Sequence, residues 1–345
     1  MAPEVTTVAD DEVVVHDGFA VRRYLDLAPG VEHVLDGVAV RTLDRPAGEL
    51  LCTVATANDV HFGEERCGII GGIDAGPVLE ARPGDPPYPE VMNAAAVTEI
   101  AALDPAVVLV KGDLTDRGTA EEYARFVAVW SGAFGDRLHH VRGNHDAMVP
   151  GLVQGLDDIP RLVEVPGARL ALVDTVQPGS DQGQLDAAQR AWLDDVAADA
   201  DRDGVPLLVF GHHHCWDPTT ATRPVDYFGI RPDDSEALIE LVVRHPSIRG
   251  YFAGHTHRNR VRRFPATGDV PFVEVACLKD FPGSWAEYRI FEGGILQVHR
   301  RLSTPEALDW SERCRQLYAT ALDGQYGPFA LGALPDRCFP LPATR

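Results

Sequence analysis

Five short polar clusters carry the residue types that hold metal ions and move protons. They are Asn58-Asp59-Val60-His61, Gly112-Asp113-Leu114-Thr115-Asp116-Arg117-Gly118, Gly143-Asn144-His145-Asp146, Gly211-His212-His213-His214 and Gly254-His255-Thr256-His257. Carboxylate, amide and imidazole donors without a thiolate suit Mn, Fe, Zn or Co better than a soft-metal site. Histidines at i and i+2 of an extended segment point to opposite sides, so His255 and His257 can serve two different ions. Asp113, at the end of a central strand, can bridge both. Cations bridged at about 3.5 to 4 Å acidify a shared water and neutralise phosphoryl oxygens, the arrangement used for in-line displacement at phosphorus.

Such donors work together only if separate elements bring them to one place. Each cluster follows an apolar run of strand length: Leu51 to Ala57, Val107 to Val110, Leu138 to Val141, Leu207 to Phe210 and Tyr251 to Ala253. All five therefore leave the carboxyl ends of strands, where open α/β sheets bind ligands. Between them the pattern predicts helices from Pro89 to about Leu103, from Thr119 onward, from Leu185 to Gly204 and from Asp234 to His245. Thr119-Ala120-Glu121-Glu122 reads as a capping box, which fixes the second cluster in a strand-to-helix turn. Leu162 to Val165 and Ala168 to Asp174 read as a hairpin about Pro166-Gly167, and alternating strands take over from Val261 to Leu302. The order gives an α/β fold with mixed sheets over residues 51–302.

Residues 1–50 read as a β-rich extension with alternation at Phe19 to Leu25 and Val31 to Leu43, and residues 303–345 as one amphipathic helix followed by a Gly- and Pro-rich tail. Gly63 to Pro89 is too irregular for a core element, and either walls the pocket or makes a surface excursion. Arg258, Arg260 and Arg262 alternate after His257, so one strand face carries all three. They either draw in an anionic substrate or form a solvated face.

Taken together, the clusters D-x-H, G-D-x-x-D, G-N-H-[DE], H at a strand end and G-H-x-H resemble the calcineurin-like metallophosphoesterases, in that order and over about residues 51–300. The pattern is closest to the bacterial cyclic-nucleotide (class III) phosphodiesterases. The resemblance implies a four-layer αββα sandwich and two divalent or mixed-valence transition metal ions. It also implies one metal site at Asp59, His61, Asp113 and His257, and another at Asp113, Asn144, His255 and one histidine of the triple. The family ligand directly follows its strand, which favours His212 over His213; the proline often found after it is replaced here by Cys215 nearby. His145 then contacts the phosphoryl group or protonates the leaving oxygen, and Asp116 is placed to orient it. Arg117 gives the G-D-x-x-D-R-G form of the protein-phosphatase branch; it grips phosphate or pairs with an acidic neighbour. Asp116 stands where purple acid phosphatases have a metal-binding tyrosine, which disfavours a purple iron site. The implied activity is hydrolysis of a phosphodiester, a cyclic nucleotide such as cAMP included. The rivals are a phosphomonoesterase or protein phosphatase, and a non-catalytic scaffold of the same fold.

Charge narrows the partners. With 31 basic against 52 acidic residues the net charge is -21, which repels phosphate polymers and makes nucleic acid an unfavoured partner. A small phosphate ester meets instead the local positive charge of bound metal. No apolar stretch approaches the roughly 18 to 20 residues of a membrane span. The acidic start from Met1 to Val15 has no apolar core of a secretory signal, and the six cysteines are scattered without a framework. Those features read as a cytoplasmic protein with reduced thiols.

Overall fold

The computed structural model describes residues 3–148 and 159–342. The extreme ends of both terminal extensions lie outside the described residues. In chain order the extension contributes β1 (Glu4–Val8), β2 (Val13–Asp17), β3 (Ala20–Tyr24), β4 (Glu32–Leu35) and β5 (Val38–Arg41). Then follow β6 (Leu50–Ala57), β7 (Cys67–Ile70), β8 (Ile73–Leu79), α1 (Tyr88–Leu103), β9 (Val107–Lys111), α2 (Ala120–Phe134) and β10 (Leu138–Val141). The second half is β11 (Arg161–Val165), β12 (Ala168–Leu172), α3 (Ala187–Asp203), β13 (Leu207–Phe210), α4 (Pro232–Arg244), β14 (Ile248–Ala253), β15 (Arg260–Arg263) and β16 (Pro271–Glu274). It closes with β17 (Ser284–Phe291), β18 (Gly294–Arg301), α5 (Pro305–Arg313), α6 (Ala319–Leu322), α7 (Tyr326–Leu331) and β19 (Phe339–Pro340).

Two mixed six-stranded sheets form the centre, in the orders β10-β9-β6-β17-β18-β19 and β11-β12-β13-β14-β16-β15. Strands β10, β9 and β6 run parallel, as do β12, β13, β14 and β16. Side-chain alternation shows why both faces of each sheet are covered. Along β9, Val107 and Leu109 enter the core between the sheets, while Val108 and Val110 pack toward α1 and α2. Along β13, Leu208 and Phe210 face the other sheet, while Leu207 and Val209 pack toward α3 and α4. Helix, sheet, sheet and helix stack as four layers.

The local signals read from the sequence act as stated at α2, where Thr119 Oγ1 accepts from Glu122 N and the Glu122 carboxylate accepts from Thr119 N. Three stretches differ. Gly63 to Pro89 contains the β7-β8 hairpin, turned by Gly71 and Gly72 at positive φ; its strand Ile73–Leu79 packs against α6, so it is neither shapeless nor free. The C-terminal segment is no loose tail: β19 pairs with β18, and α6 and α7 are too short to leave a periodic signature. Val13 and Val15 of β2, passed over in the acidic start, are buried, and Thr6 O accepts from His299 Nδ1 at 2.9 Å. The extension is seated on the sheet that contains β18.

Candidate metal centre

The five clusters do leave the carboxyl ends of β6, β9, β10, β13 and β14. Their turns are tight, and glycine is required where they meet. A Cβ on Gly143 would lie 2.1 Å from Asp113 Oδ1, and one on Gly254 would lie 2.8 Å from Asp59 Oδ2. Asp146 locks two of the turns together, its buried carboxylate accepting from Gly143 N, Leu114 N, Thr115 N and Thr115 Oγ1 at 2.6 to 3.1 Å. Burial and the nearby Asp113 push the Asp146 carboxyl up to about 6, while those four donors favour its charged form.

Donor atoms of Asp59, His61 and His257 lie within 4.8 Å of one another, and so do those of Asp59, Asp113 and His212, and of His61, Asp113 and His145. Asp113 is central, with Oδ2 3.5 Å from His61 Nε2 and 3.3 Å from His212 Nε2. Asn144 Oδ1 stands 3.1 Å from the same His212 nitrogen. His212 Nδ1 donates to Lys111 O at 2.8 Å, which fixes the tautomer and turns the Nε2 lone pair toward those oxygens. Acceptors then converge without a donor unless a cation or a proton joins them. Burial lowers the His212 imidazole, but the Asp113 carboxylate outweighs it and raises the group to about 9.

The imidazoles of His61 and His255 are held neutral, whereas at His257 burial is outweighed by the surrounding Cys277, Asp280 and Asp59, which raise the group. Burial is the main cause at His61, helped by Lys279 and His145, and at His255, helped by His213 and His212. Neither nitrogen of His61 has a hydrogen-bond partner, nor does Nε2 of His255, although all are buried. Neutral, buried, unpartnered imidazole nitrogens beside carboxylates are what a metal-ligand set requires, so the residues present fit two cations. His213 differs from His212: its Nδ1 meets Thr175 Oγ1 at 2.9 Å, and its Nε2 is unpartnered beside His255.

Strain marks the same residues. Among the described residues, ten other than glycine have positive φ, and Asp59, His61, Asp113, His255 and His257 are five of them. Such backbone persists only where its surroundings hold it. His255 and His257 therefore do not lie on an extended segment. Their imidazoles still turn to different neighbours, His255 toward His212 and His213 and His257 toward Asp59 and His61, through left-handed turns rather than strand alternation.

Asp116 holds His145 by its backbone. His145 Nδ1 donates to Asp116 O at 2.8 Å, whereas the Asp116 carboxylate stands 3.9 Å away and is engaged by Arg117 Nε at 3.1 Å. The Arg117 side chain is 75% exposed. Arg258 and Arg262 are no solvated face, since both pair with the buried Glu274.

Two supporting residues escaped the sequence reading. Lys111 is fully buried and donates to Asn58 Oδ1 at 2.9 Å and Ala253 O at 3.1 Å, clamping the ends of β6, β9 and β14; burial lowers it to about 7. A charged last residue on an otherwise apolar strand was the available signal. Asp280 lies 3.4 Å from His257 Nδ1 and accepts from Tyr326 Oη at 2.5 Å; nothing local marks it.

Comparison with known proteins gives a family and a fold. Residues 53–259 match the calcineurin-like phosphoesterase family. A cAMP/cGMP dual specificity phosphodiesterase of Mycobacterium tuberculosis is 30% identical over 164 residues, 45% of this chain and 49% of that one. The chain thus spans about half the length of that relative. The 3',5'-cyclic adenosine monophosphate phosphodiesterase CpdA of Pseudomonas aeruginosa is 26% identical over 63% of this chain and 74% of its own. In fold, a dimetal phosphatase from Danio rerio superposes with a TM-score of 0.57 at 16% identity, covering 73% of this chain and 97% of its own.

Proposed function

Because this chain belongs to the calcineurin-like phosphoesterase family, we propose that it is a metal-dependent hydrolase of a small phosphodiester, with cyclic nucleotides the favoured class. The observation that carries the reading is the convergence of Asp113 Oδ2, Asn144 Oδ1 and His212 Nε2 beside unpartnered imidazoles of His61 and His255. Asp59, His61, Asp113 and His257 would hold one cation, and Asp113, Asn144, His212 and His255 the other. Two bound divalent cations supply Lewis acidity and a nucleophilic hydroxide at neutral pH.

The chain's own groups do the rest. His145, its Nδ1 held by the Asp116 carbonyl, presents Nε2 to the substrate. There it hydrogen-bonds a phosphoryl oxygen or, as imidazolium, gives a proton to the leaving oxygen. Asp280 and Lys111 keep ligand geometry by holding His257 and the strand ends. Arg117 stands at the rim, and a grip on phosphate requires it to leave Asp116. Residues 51–302 form the catalytic unit in this reading, with residues 1–50 and 303–345 packed on it as extensions. Six free cysteines fit a reducing cytoplasm, and no helix among the described residues is long and apolar enough to cross a membrane.

Loading the protein with Mn, Fe, Zn or Co and comparing bis(4-nitrophenyl) phosphate with 4-nitrophenyl phosphate tests the proposal. The diester should be favoured by about tenfold or more in kcat/KM, and cyclic nucleotides should then lead a panel of natural esters. A preference for the monoester overturns the diester reading. Failure to bind any of the metals overturns the whole.

A further inference from the structure

The turn that ends the loop after His214 is pinned against the histidine cluster. Ile230 N donates to His214 O at 2.8 Å, Gly183 N to Gly229 O at 2.7 Å and Arg231 N to Gly183 O at 2.9 Å. Tyr227 Oη meets His214 Nε2 at 2.9 Å. The backbone comes so close at Gly229 that a Cβ there would lie 2.8 Å from His214 O. Phe228, held between these anchors, stacks its ring on the His255 imidazole with centroids 3.9 Å apart. The His214 ring lies 6.4 Å away.

Core packing does not account for this ring. Phe228 is 50% exposed, and it joins none of the apolar clusters among the described residues. A phenyl left half in water forgoes much of the burial that would stabilise it. Its ring lies instead on a residue of the candidate metal centre, with the rest of its surface open to solvent. The same rim carries His145, whose side chain is 35% exposed. Ala147 O, in the turn after His145, accepts from Gly179 N at 2.9 Å. Residues 179–183 thus run from the His145 turn to the Phe228 turn and tie the two together.

The spacing suits a nucleoside. One imidazole lies between a cation at His255 and the Phe228 ring, much as one sugar lies between the phosphate and the base of a cyclic nucleotide. We propose that the exposed part of Phe228 is the stacking platform for the base of a cyclic-nucleotide substrate whose phosphate sits on the metal centre. Phe228 is then a specificity residue, which favours a flat ring in the alcohol part over a glycerol-like alcohol. Stacking engages the face of the base rather than particular hydrogen bonds, so purine bases of either kind are accepted. The inference rests on the phosphodiesterase reading above, and its test separates the two.

Titrating the metal-loaded protein with adenosine 5'-monophosphate and with ribose 5-phosphate, by calorimetry, requires no hydrolysis. Phe228→Ala and Phe228→Leu should each weaken the nucleotide relative to the sugar phosphate by roughly tenfold, and Phe228→Trp should preserve the ratio. Leucine keeps an apolar cover on His255 without a ring face, so it separates stacking from shielding. An unchanged ratio in Phe228→Leu overturns the platform, as does loss of metal from that variant by elemental analysis. Kinetics then place the contact on the substrate. The ratio of kcat/KM for cAMP to that for glycerophosphoethanolamine should fall about tenfold in Phe228→Leu, through KM. A ratio that holds overturns the proposal. If wild type hydrolyses neither diester, the phosphodiesterase reading fails alone, and the titration still decides whether Phe228 holds a base.

Discussion

Two regions of this protein bury a dense set of ionisable groups, and they are built to opposite specifications. Where β17 and β18 meet the N-terminal sheet, Arg289 reaches Asp10, Asp11 and Glu287 at 2.6 to 2.8 Å, and Arg300 reaches Glu12 and Glu287 at 2.5 and 2.6 Å. Acceptors there have donors, and none of these residues has positive φ. At the carboxyl edge of the sheets, acceptors converge on acceptors, imidazole nitrogens lack partners, and five ligand candidates sit in left-handed backbone. Each such residue costs on the order of 1 kcal/mol. Burial of charge is therefore not what marks a site. Unmet valence combined with backbone strain is, because folding alone gives no return on either and a bound cation does.

The sharpest way to break this contrast is to substitute one residue in each region. Asp113→Asn is expected to abolish binding of both metals, read by elemental analysis, and to lower kcat/KM by at least about a thousandfold, about 4 kcal/mol. Its thermal midpoint should move little when both proteins are compared metal-free, since the carboxylate serves a bound cation rather than the core, and only wild type should gain stability on metal loading. A variant that keeps its metal content and activity would erase the distinction drawn above.

Glu287→Gln should do the reverse. Removing one partner of a buried network costs roughly 3 kcal/mol in urea unfolding, with metal content retained. Burial opposes ionisation of Glu287, but Arg300 and Arg289 hold it below its ordinary value of 4.5. A depressed carboxyl contributes stability above that ordinary value and loses it as pH falls below. The gap between wild type and Glu287→Gln should therefore narrow in acid below about pH 4.5; a gap that widens there contradicts the assignment.

The smallest effect belongs at the rim. Arg117→Ala removes an exposed pair with Asp116 and should change stability by no more than about 0.5 kcal/mol and kcat/KM by no more than about threefold. A loss of tenfold or more would show that Arg117 leaves Asp116 to hold the phosphoryl group.

Much of this was legible from local pattern. Capping at Thr119, the punctuation about Gly167 and the apolar runs before each cluster depend on neighbours within a few residues, so the strands, helices and their order could be read. The β7-β8 hairpin was hidden because its Gly71-Gly72 turn lies among other glycines and prolines. Helices α6 and α7 were missed because four and six residues are too few to show a period. The Asp116 carboxylate was given the work its own carbonyl does, since sequence cannot say which oxygen of a residue faces a partner.

The order and types of the donors, two carboxylates, an amide and the histidines, each after a strand, were determined by the sequence itself, because strand ends and turns are local events. What tertiary structure decided is which atoms meet. That His212 shows Nε2 to Asp113 follows from a hydrogen bond to Lys111 O, 101 residues away. That His257 is backed by Asp280 depends on loop paths and register between distant segments. Contacts of that kind are fixed by packing of the whole chain, and no neighbouring residue records them.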